Sequence, residues 1–308
     1  MTIQTRSSSL SYSEREATMK IKILTTLEIL AVFALMLVLR VTLRSTSIVQ
    51  WEQQNLGWTY TLVFLWIGIT VLVILLTRRG WAAFGVSKTN WQTNLDIGIK
   101  AYLVRFIPPV FGVFGAAWLG LDTAKIGGMA FAASMWIIAL AAMVWVLNHH
   151  KPVKSGRANL ILTILLLLFP IGVALAMRKL NMVIVSTVIW QFVLSGFGEE
   201  FIYRGYFQSR LNQAFGRPMC LFGIQFGAGL FIASFLFGLL HIFNGYDPTV
   251  GFSTLAWGVL LSNFLAGLFL GVIREKTGNL VAPGIAHGLP DAVGEPLIKI
   301  FGWTEIFS

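Results

Sequence analysis

Charge is scarce in this sequence. Only 12% of its 308 residues are Asp, Glu, Lys or Arg, while 56% are hydrophobic. A soluble domain usually carries about 25% charged residues. The shortage excludes an ordinary water-soluble globule, because so much apolar surface would lack polar cover. Cysteine is scarcer still. Cys220 is alone, which excludes an internal disulfide and any CxxC-type metal site. Its thiol is expected to be buried. No HExxH occurs, no internal repeat stands out, and strand-like alternation is missing. Long apolar runs without that alternation favour membrane helices over a barrel. Basic residues outnumber acidic ones, giving a net charge of +10, but they are scattered through short loops. A nucleic-acid partner would need them on one face. In a membrane protein they set orientation and touch anionic headgroups.

Apolar length is abundant instead. A span needs about 20 mostly apolar residues. Candidates are Ile23–Val41, Trp58–Leu76, Ala101–Leu119, Gly127–Leu147, Ala158–Met177, Asn181–Phe197, Cys220–Phe243, Phe252–Ile273 and Leu280–Phe301. Pro283, Pro290 and Pro296 interrupt the last. The expected fold is therefore all-α, a polytopic transmembrane helix bundle of about eight spans plus an irregular final segment. Residues 1–20 read as a polar, mobile tail, 21–180 as N-terminal membrane helices, and 181–303 as a core. The first apolar run is too long for the h-region of a signal peptide. Pro108-Pro109 is expected to kink the third span. Most Lys and Arg fall in the N-terminal tail and in alternate loops after it. That pattern predicts a multi-pass protein of the cell membrane with its N-terminus in the cytoplasm.

Ionisable residues at membrane depth are costly and mark candidate sites. Glu28 and Arg105 lie in apolar runs, where a structural pair or a snorkelling side chain explains them. His149-His150 beside Lys151 reads as a solvated basic loop. After residue 181 polar groups multiply. They are Glu199, Glu200 and Arg204, then His241 with Asn244, then Asn263, then His287 with Asp291. Positions i and i+4 share a helix face, so Glu200 can pair with Arg204 while Glu199 points elsewhere. A carboxylate without a cation can serve as a general base. Taken singly, the glutamates read better as an interfacial ion pair and His241 as a hydrogen-bonded interfacial residue, while Asn263 is equally a helix–helix contact. Pro290 between His287 and Asp291 leaves their shared face open.

Three motifs in order change the weighing: Glu199-Glu200-Phe-Ile-Tyr-Arg204, Phe237-Gly-Leu-Leu-His241, and His287-Gly-Leu-Pro-Asp291. The chain resembles the CAAX-protease and bacteriocin-processing (CPBP, or Abi) family, the membrane-embedded type II CAAX prenyl endopeptidases, over about Asn181 to Phe301. That family's pattern is EExxxR, FxxxH, then HxxxN or HxxxD. The resemblance implies an intramembrane endopeptidase acting on a membrane-bound or lipid-associated protein or peptide. It implies that Glu199 activates water and His241 orients it. Glu200 and Arg204 would hold the helix, with Phe237 as support, and His287 and Asp291 would assist the oxyanion. The family often carries Asn where this chain has Asp291. It has also been read as metal-dependent, and Glu/His/His can ligate Zn²⁺. Without HExxH, metal-free catalysis with no cofactor is the preferred expectation.

One constraint follows from helix rise. Some 20 residues at about 1.5 Å each would set Glu199 and His241 roughly 30 Å apart if both ended their spans. The glutamate helix is therefore expected to run past Arg204 to about Asn212. The residues after Gly216 would then lie at the interface. Two further readings remain, a non-proteolytic membrane immunity or binding factor on the same scaffold, and a transporter. The missing repeat between the two halves weakens the transporter.

Overall fold

The computed structural model describes residues 12–121, 126–246 and 249–303. Ten helices carry the architecture: α1 Tyr12–Leu43, α2 Ser47–Leu56, α3 Tyr60–Leu76, α4 Trp91–Arg105, α5 Ile126–His149, α6 Arg157–Ala176, α7 Met182–Phe215, α8 Ala228–His241, α9 Val259–Thr277 and α10 Val281–Phe301. The all-α polytopic bundle is as expected. Among the described residues, five helices are long and apolar enough to cross a membrane, or six if α2 and α3, bent by 117°, form one broken span. Residues 1–11, the first part of the polar tail, lie outside the described residues. The rest of that tail is the start of α1.

Several expectations need correction. The final segment is not irregular, since α10 is one helix of 21 residues that contains Pro290 and Pro296. A proline frees the carbonyl four residues earlier. For Pro290 that carbonyl is Ala286 O, and Arg105 Nη1 donates to it at 3.2 Å. Strand is also present. β1 (Met219–Leu221) and β2 (Ile224–Phe226) form an antiparallel hairpin between α7 and α8. The expected span from Cys220 therefore starts only at Ala228. Cys220 sits on the hairpin and is exposed rather than buried. His150 is not solvated either. Its Nε2 lies 2.6 Å from Asp96 Oδ2, with the side chain 4% exposed. Pro108-Pro109 opens a π-helical stretch, Pro108–Phe114, just past α4.

The helix that matters most is α7. It runs unbroken for 34 residues, well past Arg204 as the depth constraint requires. Over Trp190–Glu199 and Phe201–Gln208 it is wound as a π-helix, a form that recurs at functional sites. Glycine sets how closely its neighbours approach. A Cβ on Gly196 would lie 2.6 Å from Gly288 Cα in α10, and one on Gly284 would lie 2.7 Å from the Phe197 ring. Small residues let membrane helices pack backbone to backbone. A similar crossing joins α8 to α9, where a Cβ on Gly267 would meet Ser234 Cβ at 2.8 Å.

Contacts divide the bundle into two ends. At one end Arg210 and Arg79 bind Glu28, Lys22 lies over the Phe215 ring, Lys276 reaches Asn148, and Asn279 donates to Ser87 O. At the other end Arg40 donates to Asn244, Trp58 Nε1 to Thr187, and Lys179 to Ile300 O. There the corner between α2 and α3 is fixed by Glu52, which accepts from Thr61 N at 3.1 Å and Thr61 Oγ1 at 2.6 Å.

Candidate active site

Glu200 and Arg204 form a fully buried ion pair, 2.8 Å from Oε1 to Nη1. Burying two charges costs desolvation that further hydrogen bonds offset, here in part, since Glu200 Oε2 and Arg204 Nε are buried without a partner. Arg204 Nη2 donates to Gly267 O at 3.2 Å, and its guanidinium lies 4.5 Å from the centre of the Phe237 ring. Glu200 Oε1 also lies 2.9 Å from His287 Nδ1. An ionised carboxylate only accepts, so His287 Nδ1–H is the donor. The close crossing at Gly196 and Gly288 puts His287 in reach. Glu200 thus ties α7 to α10, and Arg204 ties α7 to α9.

Glu199 has no such partner. It is 6% exposed, and its Oε2 is buried without a hydrogen bond. That oxygen lies 4.0 Å from His241 Nε2 and 4.0 Å from His287 Nε2. His241 Nδ1 is 2.7 Å from Phe237 O. A carbonyl only accepts, which assigns the proton of neutral His241 to Nδ1 and turns a lone pair on Nε2 toward Glu199. The Phe237 ring packs against both imidazoles, with centroids at 4.4 and 5.7 Å. Three atoms able to hold a water molecule therefore converge on one point.

The point lies in a cavity of about 520 Å³, lined by Glu199, His241, His287 and Asp291. Asn244 and Asn263 line it too. All the side chains expected at the site thus meet it or support it: Glu200 binds His287, Arg204 lies over the Phe237 ring, and Phe237 forms part of the wall. Asp291 does share a face with His287, despite Pro290. Its carboxylate is taken by Arg105 Nη2, at 3.2 and 3.3 Å, and Arg105 Nη1 also donates to His287 O.

Arg105 and Arg40 are cavity residues that no motif marks. The only sequence signal is an arginine within an apolar run, which for Arg105 reads as structural. Arg40 donates to Asn244 Oδ1 at 2.6 Å, and Arg44 donates to Phe243 O at 3.2 Å. Among the described residues neither forms an ion pair.

The Glu199, His241 and His287 set has the right chemistry for Zn²⁺ but not the spacing. Bonds of about 2.0–2.1 Å in a tetrahedron put ligand atoms roughly 3.3 Å apart. Among the described residues, no three His, Cys, Asp or Glu side chains are placed to hold a metal ion.

Residues 181–293 match the family model for Type II CAAX prenyl endopeptidase Rce1-like proteins. The match supports the resemblance read from the three motifs. The matched stretch opens at Asn181, whose side chain caps α7 by accepting from Ile184 N, and ends inside α10. It contains every motif, and the family whose model it matches is one of CAAX prenyl endopeptidases. Arg40 and Arg105 lie before this Rce1-like core and complete its cavity from outside the match. No curated protein and no solved structure matches the chain.

Proposed function

We propose that the protein is an intramembrane endopeptidase of the cell membrane that hydrolyses a peptide bond in a membrane-associated protein or peptide. The observation that carries this reading is the unpartnered Glu199 Oε2 facing two imidazole Nε2 atoms at the floor of a cavity. A water there donates one hydrogen to Glu199 and the other to His241 Nε2, leaving a lone pair for the scissile carbonyl. As the water oxygen bonds to the carbonyl carbon, Glu199 takes its proton. When the C–N bond breaks, that proton leaves with the amine, and Glu199 is ready again.

Negative charge builds on the carbonyl oxygen in between, and donors aimed there lower the barrier. Asp291 itself is an acceptor. Its part is to hold the Arg105 guanidinium at the cavity wall beside His287, so that the positive group rather than the carboxylate serves the oxyanion. Glu200 and Arg204 position α7 and fix the His287 tautomer.

Supporting the metal-free form of this chemistry is the wide spacing of the three side chains. The test is co-expression with a candidate membrane substrate. Glu199→Gln abolishes cleavage if the reading is right, and full activity in that variant would sink it.

A further inference from the structure

The site has a direction. Exposed members of the cavity lining, Gln53 and Asn244, and half-buried Trp58 all belong to one end of the bundle. Trp58 stacks on Trp190 at 4.4 Å there, beside the α2–α3 corner. Among the described residues, no lining residue comes from the end that holds Lys22, Arg79, Phe215 and Lys276. That closed end is plugged by the Glu28–Arg210 pair and the Tyr206 hydroxyl, which donates to Glu28 at 2.7 Å.

The two ends also differ in charge. The closed end gathers Lys20, Lys22, Arg78, Arg79, Lys151 and Lys154, with still more around the hairpin. At the open end, Arg40 and Arg44 face the cavity, Lys179 and Lys299 are spent on Ile300 O and Thr187, and Arg178 is exposed. Short loops rich in Lys and Arg stay in the cytoplasm.

We propose that the cavity opens to the extracytoplasmic side and that the scissile segment is displayed outside the cytoplasm, next to the membrane. This rests on the protease reading for the word scissile but not for the direction of the opening. A prenylated C-terminus, the kind of substrate in the family's name, is anchored at the cytoplasmic face and would meet the closed end. The substrate class is instead a juxtamembrane stretch of a translocated chain.

Cys220 supplies the probe. It is the single cysteine, it is exposed, and the hairpin that carries it lies at the closed end. Sealed membrane vesicles of known sidedness are treated with a membrane-impermeant maleimide. Native protein is expected to label at Cys220 in inside-out vesicles only. Gln53→Cys and Gln54→Cys, each with Cys220→Ser, are expected to label in right-side-out vesicles only. The reverse pattern, or labelling of the hairpin and α2 from the same side, overturns the proposal. Substrate cleavage that is the same with and without the protein would remove the protease reading while the labelling stood, and a Glu199→Gln variant that still cleaves would remove only Glu199 as its base.

Discussion

Gly196 and Gly288 face each other so closely that a Cβ on Gly288 would sit 2.9 Å from Gly196 Cα and 2.8 Å from Phe192 O. The neighbours are backbone, which cannot turn aside. Gly288→Ala is therefore expected to push α7 and α10 apart at a cost of about 1–3 kcal/mol. The shift would lengthen the bond between His287 and Glu200. Lower thermal stability in detergent and lost cleavage are the expected readouts. Gly294→Ala, on the same helix but with no neighbour within 4 Å of its Cβ position, should not lower the melting temperature and should raise it slightly, since Ala is the better helix former.

Arg204 is a structural cation rather than a reagent. Arg204→Leu leaves Glu200 as a lone buried charge and should destabilise by about 3–5 kcal/mol. Glu200→Leu combined with Arg204→Leu should cost less than Arg204→Leu alone. Arg204→Lys should recover only part of the loss, because one ammonium does not reproduce the fork that serves both Glu200 and Gly267 O. Thermal unfolding of the four proteins decides.

Glu199 should behave oppositely. Glu199→Gln removes the base and keeps the shape, so stability is retained while cleavage falls by about 10²–10⁴-fold. His241→Ala should fall by less, since orientation of water is lost but the base remains. Chelators should leave native activity intact. Loss of activity to a chelator, restored by Zn²⁺, would refute metal-free catalysis.

Arg105 carries two tasks that a second substitution can separate. Arg105→Leu unpairs Ala286 O, the carbonyl freed by Pro290, and releases Asp291. Adding Pro290→Ala returns an N–H to that carbonyl. Stability should then recover beyond additivity, by more than about 0.5 kcal/mol. Cleavage should not recover, because the cation at the cavity wall is still missing. Recovery of both would make Arg105 purely structural.

Much of this site was legible before the fold was known, for identifiable reasons. The pairing of Glu200 with Arg204 is local, four residues apart on one helix, and spacing alone predicts it. The length of α7 followed from requiring Glu199 and His241 to share a depth. The role of Arg105 was hidden because its partner, Ala286 O, is 181 residues away and is a carbonyl made needy by a proline. The hairpin was hidden because two three-residue strands are too short to show alternation. Cys220 was misjudged with it, since a strand begins where a buried helix was expected.

The burial of Arg204 bears on how the chain enters the bilayer. During synthesis α7 emerges with Glu199, Glu200, Arg204 and Arg210 in its second half, and only Glu200 is at hand to neutralise Arg204. Gly267 O comes 63 residues later and His287 comes 87 residues after Glu200. Until both arrive, the segment that carries the chemistry is poorly suited to lipid on its own. Its membrane insertion is therefore coupled to that of α9 and α10, and a chain cut short before His287 would leave its glutamates stranded at the translocation machinery.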